Sequence, residues 1–342
     1  MQQQEELSPV SIVKPKFTGN KTFPLTPGSV LFAPMEGITD HLYRKALLEL
    51  YPEWDKIATD FLRVPSVGEY PKKHILKHFG EEHYQSQQSL EKTIYQILSP
   101  EKANTLDTIE KINEFGFEWL DLNLGCPSKT VCKNRGGSFL LSDLEALRYV
   151  INLIRQNWNN IFTAKIRVGY KDDTLFADIL RLLESEKVDA ITIHARTRDE
   201  MYKGVAKWDY IKEATSIITK TPIIGNGDIW TVEDIEKYFE FTKCHSVMIA
   251  RGALKTPWLA RLYKNKEKDS EELRRFEIHR YFSHYNEVLK KDSDLDTTKR
   301  LRRIKAISRY IFDDLKNGEE IKKQMLRSKS EDELFSLLKS II

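Results

Sequence analysis

Cysteine is scarce in this chain. Cys126, Cys132 and Cys244 are the only three among 342 residues, and a small odd number does not build a disulfide framework. That usage points to a reducing compartment, the cytoplasm. No Cys-x-x-Cys pair occurs, and no metal site is expected. Long apolar runs are missing as well. None approaches the ~20 residues of a membrane span, so no membrane partner is expected. The opening MQQQEELSPVSIVKPKF has no basic segment leading into an apolar one. It reads as a polar lead-in over residues 1–27, without a secretory signal. Charge of one sign is also lacking. Fifty-four Lys and Arg face 51 Asp and Glu, a net charge of +3. A nucleic-acid ligand would need basic residues gathered locally.

Hydrophobic residues make up 40% of the chain, enough for a core, and their spacing alternates between two periods. Short β-like runs are predicted at residues 29–34, 55–64, 92–98, 119–125, 162–169, 190–195, 222–228 and 245–252. Helical patterns lie between most of them. One stops on Gly116, another begins near Asp143, and a third is capped by Thr231. Eight strands alternating with helices imply a parallel sheet with both faces covered. Spread over roughly 230 residues, they fit a closed (β/α)₈ TIM barrel. An open doubly wound sheet is the rival, but no G-x-G-x-x-G follows the first strand. The expected barrel covers residues 28–262. Beyond it the β-like runs cease and charged helical periodicity continues, so residues 263–342 read as a C-terminal all-helical domain.

A TIM barrel carries its active site at the C-terminal ends of its strands. Pro34, Met35 and Glu36 close the first strand and Gln96 sits on the third. Asn123 and Cys126 mark the fourth. Lys165 and Arg167 alternate on the fifth and so share a face, as do His194 and Arg196 on the sixth. Asn226, Gly227 and Asp228 end the seventh, and Ala250 and Arg251 the eighth. Glycine-bearing turns after the last two strands form the corner where such barrels often bind phosphate groups. Ordinary tight turns are the alternative.

Lys165 facing the barrel mouth needs a partner. The electron-rich N1–C2=O edge of a flavin suits it, and Gln96 suits the ring's amide edge. An ion pair with Asp121 would also satisfy the lysine. His194 alone reads equally as a satisfied core histidine. Cys126 opens a loop containing Gly136 and Gly137, which could move over the site as a lid. Its thiol could be a nucleophile, a proton donor or a buried apolar group. A thiol–imidazole pair with His194 would suggest a hydrolase. Cys132 and Cys244 read as structural.

The segments APMEGITD, NLGCPSKTV with its following glycine pair, KIRVG, HARTR, GNGDIW and ARGAL together carry a family resemblance. The chain resembles the tRNA-dihydrouridine synthases from Leu31 to its last helices. It is most similar to the bacterial group acting at D-loop position 16. The resemblance implies FMN as cofactor, NADPH as reductant and tRNA as substrate. It implies FMN contacts from Pro34, Met35, Glu36, Gln96, Lys165, His194, Asn226, Gly227, Asp228, Ala250 and Arg251. Cys126 would be the acid, with Asn123, Arg167, Arg196 and Tyr202 around the uracil. Departures from the family pattern are Arg135–Ser138 after the cysteine loop, Ser99 after the third strand, and Ala250 before the phosphate-site arginine. Alanine is acceptable there if its φ is negative.

With an RNA substrate, the basic run Lys299, Arg300, Arg302, Arg303, Lys305 and Arg309 becomes the expected phosphate contact. Arg302, Lys305 and Arg309 share a helix face. Leu301, Ile304, Ile307 and Ile311 form the apolar stripe that would pack it down. A solvated surface helix is the alternative. A monomer is expected. The second functional reading is an FMN barrel oxidoreductase acting on a free small molecule. The basic tail and the lack of an iron–sulfur cysteine set disfavour it.

Overall fold

The computed structural model describes residues 23–341, so most of the lead-in expected over residues 1–27 lies outside the described residues. Nine parallel-paired strands are present: β1 (Ser29–Phe32), β2 (Lys56–Ala58), β3 (Leu62–Arg63), β4 (Thr93–Leu98), β5 (Trp119–Leu124), β6 (Ile161–Arg167), β7 (Ala190–His194), β8 (Ile223–Asn226) and β9 (Ser246–Ile249). β1 pairs with both β2 and β9, and pairing continues through β8, β7, β6, β5 and β4 back to β2. The sheet closes on itself as the expected TIM barrel. β2 and β3 are two halves of one barrel position, both paired to β4. The run 55–64, continuous in sequence, is broken here. The Thr59 hydroxyl accepts the Gln96 backbone N–H at 2.9 Å, where a continuous strand would offer a carbonyl.

Side-chain alternation with period two sorts each strand. Leu120, Leu122 and Leu124 of β5 and Phe162, Ala164 and Ile166 of β6 face outward into one large apolar cluster with the surrounding helices. Leu31, Ala58, Ile94, Trp119, Ala190, Ile224 and Met248 form a second, smaller cluster in the barrel interior. Filling the lower barrel with apolar side chains leaves the polar members of the same inward rows at its upper end. In a parallel barrel that is where the strands terminate.

The covering helices follow the expected pattern. Leu144–Asn157 buries Ala146, Leu147, Val150, Ile151 and Ile154, one stripe at helical spacing, and the Asp143 side chain caps its first turn. Thr231 and Asp234 form a reciprocal capping box on Val232–Thr242. Gly116 follows the helix Thr105–Glu114 with φ +68°. Three short helices, Lys72–Phe79, Glu81–Tyr84 and Gln87–Lys92, fill the stretch before β4, which the sequence reading leaves without structure.

The C-terminal region is helical: Glu271–Lys291, Thr297–Ser308, Gly318–Arg327 and Glu331–Lys339. Its first helix lies against the barrel helix His41–Leu50. Tyr43 packs on Tyr281 and Tyr285 at 6.4 and 6.1 Å between ring centroids. The Tyr51 hydroxyl donates to Glu277 at 2.8 Å. Tail residues Ile304, Ile307, Ile311 and Phe312 belong to the same buried cluster as the outer face of the barrel. Leu301, partly buried, packs against the same cluster, so all four residues of the expected stripe face the core, although Ile311 lies just past the helix end. No described helix is long and apolar enough to cross a membrane.

Candidate active site

The upper end of the barrel encloses a cavity of about 440 Å³, within the range that binds cofactors and small molecules. Pro34, Met35, Glu36, Gln96, Asn123, Cys126, Lys165, Arg167, His194, Tyr202, Asn226, Gly227, Asp228, Ala250 and Arg251 all line it. The expected residues converge because each sits on an inward row or in the loop directly above one.

A chain of hydrogen bonds runs across β4, β5 and β6 beneath the cavity. Asp121 accepts from Thr163 at 2.5 Å and from the Gln96 side-chain amide at 2.7 Å. Gln96 in turn accepts from the Asn123 amide at 2.8 Å. The Asn123 side-chain carbonyl accepts the backbone N–H groups of Gly125 and Cys126 at 3.1 and 2.9 Å. Burial pushes the Asp121 carboxyl up to about 6, against the opposing effect of these donors and of Lys165. Gln96 and Asn123 keep only part of their hydrogen-bonding capacity for a ligand.

Lys165 forms no ion pair with Asp121 or with any other described residue. Desolvation, with the Arg167 charge behind it, pushes its ammonium down to about 8. Among the described residues the amine has no hydrogen-bond acceptor, and it is presented to the cavity. Beside it, His194 is 8% exposed. Burial first, then the charges of Arg167, Lys165, Arg196 and Arg251, hold its imidazole well below the usual range, so it is neutral at pH 7. Arg196 lies 3.3 Å from His194 Nε2. A guanidinium can only donate, which assigns the lone pair to Nε2 and the proton to Nδ1.

Cys126 is 7% exposed, and burial pushes its thiol up. Among the described residues no hydrogen bond joins it to His194. The thiol–imidazole pair of a hydrolase is absent there, and a raised thiol is a proton reservoir rather than a nucleophile. The loop above it is folded down. The Cys126 carbonyl accepts from the Ser138 hydroxyl at 2.8 Å, and Val131, Cys132, Gly137 and Ser138 are buried. Gly137 has φ +57°, and a Cβ on it would lie 2.9 Å from Val131 and 3.1 Å from the Cys126 carbonyl. This packing holds the loop against the rim of the cavity.

At the expected phosphate corner, the β8 and β9 loops are pressed together. A Cβ on Gly252 would meet the Ile229 carbonyl at 2.1 Å. Ala250 keeps a negative φ of −103°, so alanine is unstrained. Asp228 pairs with Arg196 at 2.7 Å and with Arg251 at 3.0 Å, and accepts the Ala206 N–H at 2.7 Å. Arg251 stacks on Trp230, 5.0 Å from the ring centroid. Arg196 does not face the cavity. It is 1% exposed and its donors go to Asp228 and to the Gly204 and Lys203 carbonyls. β7 ends at His194, so the strand alternation that would place Arg196 beside it no longer applies. Arg167 lines the cavity, but its donors hold the carbonyls of Gly125, Thr197 and Met201.

The basic run of the tail divides in two. Arg302 and Arg309 are exposed. Arg300 pairs with Glu331 at 2.8 Å, Lys305 donates to the Ser328 carbonyl, and Arg303 pairs with Asp40, the cap of the first barrel helix. Lys299 donates to the Asp294 carbonyl at 2.9 Å while remaining exposed. Three of the six basic side chains thus hold the tail together or dock it. Phe61, Trp230 and Tyr310 line the cavity without having been singled out. Tyr310 is the one tail residue among the lining set. His74 and His78, four apart on one helix, gather no third metal ligand among the described residues.

A family model described as "Dihydrouridine synthase (Dus)" matches residues 31–341. A protein of Pseudomonas syringae pv. tomato named tRNA-dihydrouridine(16) synthase is 33% identical over 245 residues, 71% of this chain and 76% of its own length. One of Vibrio parahaemolyticus with the same name is 32% identical over 241 residues, 69% of this chain and 74% of its own length. A solved complex of 2-naphthoyl-CoA reductase with 2-naphthoyl-CoA superposes with a TM-score of 0.55 at 10% identity, over 75% of this chain and 52% of that one. The chain spans about half that reductase's length, and the likeness bears on the barrel fold alone.

Proposed function

The chain belongs to the dihydrouridine synthase family, a group of flavin-dependent tRNA-modifying oxidoreductases, and from that premise we propose that it reduces uridine 16 of the tRNA D-loop to 5,6-dihydrouridine, with FMN bound in the barrel mouth and NADPH as reductant. The observation that carries the reading is a buried, protonated thiol sharing one cavity with an unpaired ammonium and a neutral imidazole.

The cavity residues fit the cofactor. Lys165 lacks an acceptor, and the carbonyl edge of an isoalloxazine offers one. The Nδ1–H assigned to His194 is a second donor, and Gln96 retains one amide proton and one lone pair. Arg251, held by Asp228 and Trp230, presents positive charge for the phosphate. FMN held by these residues would supply, when reduced, a hydride for C6 of the uracil.

The chain's own residues complete the addition. Cys126 gives its proton to C5, and both new C–H bonds then stand where the C5=C6 double bond was. A general acid must be protonated when substrate arrives, and burial keeps this thiol so at neutral pH. Asn123 aims the Cys126 backbone. Arg167 fixes the loops on either side, at the carbonyls of Gly125 and Met201. Uracil has to leave its stack to reach these groups, and a single-stranded loop makes that inexpensive. A tRNA substrate fits a cytoplasmic enzyme, and the enzyme is proposed to act as a monomer.

The deciding experiment is mapping dihydrouridine in tRNA from cells with and without this gene. Loss confined to position 16 supports the reading, and an unchanged modification pattern overturns it.

A further inference from the structure

The cavity wall contains one side chain from beyond the barrel. Tyr310 lies at the turn that ends Thr297–Ser308, next to Arg309, the exposed C-cap of that helix, which also carries the exposed Arg302. Its backbone N–H bonds to the Ile307 carbonyl at 3.0 Å. The residues around it are fixed. Ile307, Ile311 and Phe312 are buried, Arg303 pairs with Asp40, and Asp314 pairs with Lys255 at 2.5 Å and with Arg274 at 2.9 Å. Asp40 caps the helix that follows β1, and Lys255 ends the short helix that follows β9. The turn is therefore tied to two neighbouring barrel loops, and the ring stands at the cavity edge with its own side chain only partly buried.

Part of the Tyr310 ring packs against the buried cluster shared by barrel and tail, and the side chain also lines the cavity. No hydrogen bond of its hydroxyl occurs among the described residues, and it joins no described aromatic pair. The second tyrosine of the cavity, Tyr202, comes from the loop after β7 and is 55% exposed. Its ring already lies 5.3 Å from Arg167 and 5.6 Å from Arg251. Tyr310 has no such engagement. In the chain it directly follows the exposed Arg309, and it lines the mouth of the barrel. A nucleotide strand seated by its phosphates on Arg302 and Arg309 brings its bases to this edge.

We propose that Tyr310 is a positioning residue for RNA, a stacking platform for the nucleobase next to the extruded uridine. The assignment rests on the tRNA-reductase reading above. Flat aromatic faces accept any base, so this contact sets the path of the strand and leaves base identity unread. It makes tail docking and entry of the target base a single event, because the same turn carries both the phosphate-facing helix end and the ring.

The test compares wild type with Y310A, Y310L and Y310F in steady-state dihydrouridine formation on unmodified tRNA. Y310A should raise KM for tRNA by about tenfold, the scale of one base–aromatic stack. Y310F should remain near wild type, since stacking needs the ring and not the hydroxyl. Y310L fills the same space without an aromatic face and should resemble Y310A. Equal KM for Y310L and wild type would reduce the ring to a space filler and overturn the proposal. So would a change in kcat alone. If wild type forms no dihydrouridine in any tRNA, the functional reading fails first, an outcome distinct from a failure of the Tyr310 assignment.

Discussion

The side-chain carbonyl of Asn123 accepts the backbone N–H of Cys126 at 2.9 Å, and the amide of the same Asn123 donates to Gln96 at 2.8 Å. The residue carrying the cavity thiol is thus aimed from inside the barrel, through side chains of two adjacent strands. Asn123→Ala removes both links at once and leaves two backbone donors and one amide acceptor unmatched. Dihydrouridine formation should fall by at least about tenfold, and stability by about 1–3 kcal/mol. Turnover and thermal unfolding of the purified variant measure the two effects, and wild-type turnover would show that Asn123 does not aim the thiol.

Cys126→Ala should keep its flavin and its affinity for tRNA while losing most product, about a hundredfold or more, because only the C5 proton donor is gone. The pH profile carries a sign. Burial raises the thiol, and in the proposed acid role the protonated form is the active one. The wild-type rate should therefore hold through neutral pH and decline only on the alkaline side, beyond the usual thiol range. A decline beginning near pH 6 would assign the acid elsewhere, with Asp121 at about 6 as the group to examine.

Lys165→Met should act in opposite directions on stability and cofactor retention. The lysine falls from an ordinary 10.5 to about 8 on folding. Below pH 8 it is charged in both states, and the folded state bears the desolvation penalty in full. Between pH 8 and 10.5 the unfolded state binds more protons, so flavin-free wild type gains stability as pH rises through that window. At pH 7 the flavin-free K165M protein should melt roughly 2 °C higher than wild type. The gap should narrow toward pH 10, and the variant should retain less FMN on purification. A lower melting temperature at pH 7 would mean that the ammonium has a partner.

Arg302→Ala with Arg309→Ala should weaken tRNA binding and flatten its dependence on log salt by roughly 1.4–1.8 units, two phosphate contacts' worth. Arg300→Ala should instead lower the melting temperature, because it unpairs Glu331 in the tail. Affinity titrations at several salt concentrations separate the two. An unchanged slope in the double variant would move the RNA track to another face.

Much of the barrel and most of the cavity can be read from the sequence, because one rule, period-two alternation, governs both. Lys165, Arg167, His194 and Asn226 point inward for the same reason that Ile166 and Ile193 point outward. The rule fails where a strand stops. Arg196 continues the count past the end of β7 and turns into a buried bond with Asp228. Thr59 interrupts the second strand with a side-chain acceptor that residue patterning does not register. In the tail, helical spacing groups Arg302, Lys305 and Arg309, of which Arg302 and Arg309 are exposed. It does not reveal that the Ser328 carbonyl claims Lys305, since that contact comes from another helix. Tyr310 carries no local signal at all. Its placement depends on Asp40 and Lys255, residues far away in the chain.

The tyrosine contacts between Glu271–Lys291 and His41–Leu50, together with Arg303 on Asp40, bear on what could be exchanged between relatives. Barrel and tail share one buried cluster, so the tail is not a detachable module. A hybrid that transplants residues 263–342 alone would set Tyr281, Tyr285 and Glu277 against a foreign first helix and strand Arg303 without its carboxylate. The smallest transferable unit is discontinuous. It couples the tail to the loop and helix after β1, and any exchange of the tail requires both pieces from the same donor.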